Sequence, residues 1–293
     1  MMKKLNSLLL SLGLAGFCYG IPTITAASPQ FKLDLSKLSK TVTDANKATK
    51  DFSEGDEIAL GQEVAANLLS LGPMLDNPEI QSYVNKVGRW VSSHSERPDL
   101  PWTFIVVDLE DANAFAAPGG YIVITKGLFL RLNSEAELAG VLGHEISHVV
   151  QKHHLSAIKK ADTTSFLKNL GDTALDMSGK STSKNRLVLE FINSAIALYS
   201  NGLDKDSEFE ADRMGVVLAT RSGYDPYALP AALQAINGHK GSDLKFMFST
   251  HPPIGERLNQ LDRIMDSRFD RHQNLPTVEE RFQKMKALLF IKK

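Results

Sequence analysis

The chain has 293 residues, 43% of them hydrophobic and 23% charged, with a formal net charge of -1. That composition is ordinary for a soluble globular protein, and the length allows a sizeable core in one large or two small domains. The near-neutral balance leaves no electrostatic footprint for nucleic acid, and no RNA- or DNA-binding motif is present.

The N-terminus opens on Met1-Met2-Lys3-Lys4, a short basic region, and Leu8 to Phe17 is apolar. Such a stretch is too short to span a membrane and fits an export signal over 1–27, cut after Gly20 or after Ala27. The only cysteine, Cys18, follows Leu14-Ala15-Gly16-Phe17. A lipidation motif would end in such a cysteine, but bulky Phe17 stands where a small residue is expected. An exported, periplasmic protein is therefore preferred over an outer-membrane lipoprotein anchored at Cys18. If cut at either site the mature chain has no thiol and no disulfide, so its core and any bound metal must hold it together. Residues 28–53 are polar and weakly periodic and read as a poorly ordered leader.

Helical spacing of Ile58, Leu60, Val64, Ala65, Leu68 and Leu69 predicts a helix over 56–71, stopped by Gly72-Pro73, and a second helix follows over 78–93. The period then changes. Residues 102–107 and 121–125 are β-branched and aromatic, with Asn113-Ala114-Phe115-Ala116 between them and Pro118-Gly119-Gly120 as the turn. These three segments predict a small antiparallel sheet. Further helices are expected over 203–222, 226–237, 254–266 and 278–289. A polar stretch at 178–183 reads as a loop, and its Gly-Lys-Ser lacks the upstream glycine of a phosphate loop.

Between sheet and later helices lies the most informative segment, His144-Glu145-Ile146-Ser147-His148. It sits well inside a predicted helix, with Ser134 as N-cap and Glu137 at the capping-box position. Residues four apart share a helix face, so His144 and His148 converge on one ion, while Glu145 lies about 100° round the helix. Zinc with three protein ligands keeps one position open for water and lowers its pKa, and Glu145 is placed to act as the base. Two histidines need a third ligand. Glu208 and Asp212, again four apart, offer carboxylates on one face, one to bind the metal and the other to accept a hydrogen bond from a ligand histidine.

H-E-x-x-H followed some sixty residues later by E-x-x-A-D, here Glu208-Phe209-Glu210-Ala211-Asp212, resembles peptidase family M48, the group of HtpX-like, BepA-like and CaaX prenyl protease-like zinc metallopeptidases. The segment 113–122 with Gly127-Leu128, and Ser249-Thr250-His251-Pro252-Pro253 with Glu256-Arg257, are similar to further family segments, so the resemblance covers roughly 54–263. It implies that Glu208 is the third zinc ligand, with Asp212 in support and Glu210 pointing elsewhere. It also implies that a peptide adds as a strand along Asn113, Ala114, Phe115 and Ala116. His251 is expected in the active site, either as an extra ligand that shuts it or as a donor to the oxyanion. Arg257 either reaches the site or braces Asp212. His153 and His154 are expected to stabilise the helix C-terminus rather than bind metal.

The expectation is a mainly α protein with a small antiparallel sheet, a zincin-like (gluzincin) metallopeptidase domain over 54–268 and a helical tail over 269–293. One Zn2+ ion would serve an endopeptidase of the bacterial cell envelope, acting on polypeptides such as misfolded envelope proteins in quality control. The alternative is an envelope chaperone or interaction module with a latent or structural metal site. No apolar stretch is long enough to span a membrane, which leaves peripheral contact open.

Overall fold

The computed structural model describes residues 53–69, 72–157, 202–238, 250–272 and 274–290. The predicted export signal, Cys18, the leader to residue 52, the polar stretch at 178–183 and Ser249 lie outside the described residues.

Helix α1 (Glu54–Leu68) starts from a full capping box between Ser53 and Asp56, and α2 (Pro78–Ser92) from Asn77, whose side chain accepts from the Ile80 amide. Strands β1 (Thr103–Val107), β2 (Ala114–Ala117) and β3 (Tyr121–Thr125) follow, where the β-branched and aromatic runs predict them. Their order is β1-β3-β2, with β2 antiparallel and β1 parallel to β3. The sheet is thus mixed rather than antiparallel throughout. Pro118–Gly120 makes a turn too tight for anything but a hairpin, with Gly119 and Gly120 at φ 73° and 98°. The hairpin brings β3 back between β2 and β1, so the first and third strands run the same way.

Alternation along the strands divides the sheet's contacts. Phe104, Ala114, Ala116, Ile122 and Ile124 join the main core, while Phe115, Ala117 and Val123 join a smaller cluster with Leu60, Val64 and Leu68 of α1. After α3 (Lys126–Arg131) comes the central element, α4 (Glu135–Val150), in which every residue from Glu135 to Val149 is buried. Its N-cap is Ser134, whose hydroxyl accepts from the Glu137 amide at 3.1 Å. The Glu137 carboxylate reaches one residue further back than a capping box requires, to the Asn133 amide at 2.7 Å. Around α4 lie α5 (Lys205–Arg221), α6 (Ala228–Asn237) and α2, and α7 (Ile254–Met265) rests on α5 and α6. Among the described residues, no helix is long and apolar enough to cross a membrane.

The C-terminal segment docks on the start of α4. Phe282 of α8 (Glu279–Ala287) is fully buried, its ring 4.9 Å from that of Phe129, and Thr277 O accepts the Ala136 amide, one of the four donors that a helix start leaves unpaired. Glu135 is the hub: Tyr83 and Tyr224 hydroxyls donate to it at 2.7 and 2.8 Å, and Arg281 pairs with both its oxygens. Burial works to raise the Glu135 carboxyl, but Arg281 and the two tyrosines hold it below its ordinary value of 4.5. A lowered folded-state pKa gives stability that is present above that ordinary value and lost as pH falls through the folded one. Urea unfolding should therefore show wild type losing stability more steeply below pH 4.5 than Glu135→Gln, and parallel acid limbs in the two proteins would contradict this role.

Candidate metal centre

Three buried donors from two helices meet at one point: His144 and His148 of α4 and Glu208 of α5. The His144 and His148 Nε2 atoms are 3.1 Å apart, and the Glu208 oxygens lie 3.7 Å from the first and 3.5 Å from the second. Tetrahedral zinc with bonds of about 2.0–2.1 Å separates its ligand atoms by about 3.3–3.4 Å, so these donors fit such an ion without rearrangement. Burial lowers His148 well below the usual imidazole range, which keeps it neutral, as a ligand must be. Glu208 is held at about 2, where burial alone would raise it, chiefly by the charge of His251 and the hydrogen bond from it.

The helices can approach this closely because two glycines face each other. A Cβ on Gly143 would sit 2.9 Å from the Gly215 carbonyl oxygen, and one on Gly215 would sit 2.8 Å from the His144 amide nitrogen. Contact at backbone distance brings the short carboxylate arms of α5 within reach of the imidazoles of α4.

Asp212, one turn beyond Glu208, accepts from His144 Nδ1 at 2.9 Å, which leaves the His144 Nε2 lone pair facing the site. Arg257 of α7 grips the same carboxylate with Nε at 2.9 Å and Nη2 at 2.5 Å. Both members of this ion pair are almost fully buried. Arg257 overcomes the effect of burial and holds Asp212 well below the usual carboxylate range.

Glu145 is buried, and burial pushes its carboxyl up. It lines a cleft together with His148, Glu208, His251 and the β2 residues Ala114, Phe115 and Ala116. Of the predicted peptide-binding segment, Asn113 alone is not brought into the cleft. It braces the strand instead, its amide donating to Thr125 Oγ1 and its side-chain oxygen accepting from the Ala114 amide. His251 enters the cleft and donates through Nδ1 to Glu208 Oε2 at 2.7 Å.

Sequence reasoning missed His153 and Glu210. Helix α4 ends at Val150, a fresh helical turn begins at His153, and the His153 ring lies against His148, with Nδ1 to Nδ1 at 3.0 Å. Glu210 is 3.5 Å from the other nitrogen of His153. His154 also faces the cleft rather than the helix terminus. Spacing carried no signal for His153, since a residue five along a continuous helix sits about 140° away.

The family model of Peptidase family M48 matches residues 75–265. The chain is 28% identical over 261 residues to the beta-barrel assembly-enhancing protease of Escherichia coli (strain K12), covering 87% of this chain and 51% of that protein. Against the beta-barrel assembly-enhancing protease of Yersinia pestis it is 29% identical over 274 residues, 91% of this chain and 55% of the relative. It is 30% identical over 180 residues to the mitochondrial metalloendopeptidase OMA1 of Arabidopsis thaliana, 61% of this chain and 35% of that one. The chain spans about half the length of the two bacterial relatives.

Proposed function

The chain belongs to peptidase family M48, and on that premise we propose that it is a zinc-dependent endopeptidase of the bacterial cell envelope that hydrolyses polypeptides in protein quality control. The observation that carries this reading is the set of three buried donors at metal-bridging distances, in one cleft with Glu145 and strand β2. Two imidazoles and one carboxylate are a donor set that suits zinc and leaves a coordination position open. The envelope setting rests on the N-terminal export pattern and on the β-barrel assembly in the bacterial relatives' name. Misfolded envelope proteins are the proposed substrates.

His144, His148 and Glu208 would hold the ion. When bound, zinc supplies Lewis acidity and lowers the pKa of water. Glu145, its carboxyl raised by burial, takes a proton from the attacking water and delivers it to the leaving nitrogen. Ala114, Phe115 and Ala116 hold an extended substrate backbone beside Glu145, which favours unfolded chains over folded ones. Arg257 and Asp212 keep the His144 ring in one tautomer and orientation.

Chelation should abolish cleavage of casein, and one equivalent of zinc should restore it. Proteolysis that survives metal removal would sink the proposal. A second reading, an envelope chaperone with a latent metal site, is favoured by one contact: His251 engages an oxygen of the Glu208 carboxylate. Client binding that persists in the chelated protein, with no cleavage at any zinc concentration, would select it.

A further inference from the structure

We propose that His153, itself oriented by Glu210, is the positioning residue for His148. Its Nδ1 accepts the His148 Nδ1–H, so the His148 Nε2 lone pair is directed at His144 and Glu208. This rests on the reading of His148 as a metal ligand.

Two ring nitrogens face each other at 3.0 Å, so one carries the hydrogen and the other a lone pair. Two arrangements are possible, and Glu210 decides between them. If His153 donated through Nδ1, its Nε2 lone pair would face the Glu210 carboxylate 3.5 Å away, and the hydrogen on His148 would be on Nε2, inside the donor cluster. If His148 donates, His153 carries its hydrogen on Nε2, toward Glu210, and His148 offers a bare Nε2 to the cluster. Only the second arrangement avoids opposed lone pairs at Glu210 and leaves the Nε2 atoms of both His144 and His148 bare for a shared ion, as the reading of the site as a metal centre requires. The site then has two braces of unlike chemistry: a carboxylate locked by Arg257 behind His144, and a neutral imidazole backed by Glu210 behind His148.

The backbone is bent to make this contact. Gln151 caps α4, and Lys152 takes φ 57°, a left-handed conformation that a residue with a Cβ adopts at a cost. That single residue turns the chain back, so His153 meets the ring five positions earlier instead of facing away. Non-glycine residues held in this region persist where the surroundings over-determine them, which is the case here: His153 is 8% exposed and His148 1%.

The test is zinc affinity of the full chain, measured by competition with a chromophoric chelator, for wild type, His148→Ala, His153→Phe, His153→Asn and Glu210→Ala. Urea unfolding of each metal-free protein is followed alongside. His153→Phe keeps the ring volume and removes the acceptor, and affinity should fall about 10–100-fold. His153→Asn puts an oxygen where Nδ1 was and should return affinity toward wild type. Glu210→Ala, at a partly exposed position, should weaken binding less than His153→Phe does. Wild-type affinity in His153→Phe, with binding lost in His148→Ala, would overturn the proposal and leave the ligand reading standing. Equal losses in the Phe and Asn variants with unchanged unfolding curves would also overturn it. Wild-type affinity in His148→Ala would remove both.

Discussion

Glu145→Gln is expected to lower kcat/KM for casein by about 10²–10⁴-fold, the usual contribution of a general base, while zinc content stays at one per chain. Glutamine matches the carboxylate in shape and cannot take a proton from water. The metal should stay because Glu145 is not one of the three clustered donors, which come from His144, His148 and Glu208. A variant that still cleaves casein at the wild-type rate would refute the assignment of the base. A variant that lost its zinc would show that Glu145 belongs among the ligands. KM should change little, since the proposed role of the carboxylate is to act on water, while the substrate backbone is proposed to lie along Ala114–Ala116.

Arg257→Met is expected to destabilise the fold by about 3–5 kcal/mol, the cost of breaking a buried ion pair from one side. Asp212 is 1% exposed and paired with Arg257 through both oxygens. Without the guanidinium it would remain as a buried charge with only the His144 ring to answer it, or it would take up a proton and release His144. Zinc affinity should therefore fall as well. Changing both residues, Asp212→Asn with Arg257→Met, should cost less than Arg257→Met alone, because the stranded charge is the larger part of the loss. Urea unfolding of the metal-free proteins measures both effects. A loss under about 1 kcal/mol in Arg257→Met would mean that Asp212 finds solvation where the structure shows none.

What the sequence made legible was local. The metal helix, its Ser134 cap, both early helices and all three strands were readable because spacing and capping act within a few residues. Glu208 and Asp212 were readable as a pair on one face, but choosing Glu208 as the ligand needed the family resemblance. The pairing of β1 with β3 was hidden, since strand order depends on contacts between distant segments rather than on the composition of either. His153 was hidden for a geometric reason: its contact with His148 exists only because Lys152 leaves helical geometry, and nothing in a lysine announces that. The docking of the tail at Glu135 was likewise invisible, because Arg281 lies 146 residues away from its partner.

The contact between Gly143 and Gly215 limits how this centre can change over generations. Most packed positions tolerate a larger side chain if a neighbour shrinks, and such exchanges let cores drift. Here both partners are already the smallest residue, so an added methyl on either helix has no counterpart that could yield. A mutation at one can be repaired only by reverting it or by moving a whole helix, and moving α5 would carry Glu208 and Asp212 away from the histidines. The spacing of the centre therefore depends on two positions where neutral variation is closed, although neither side chain has any chemistry of its own.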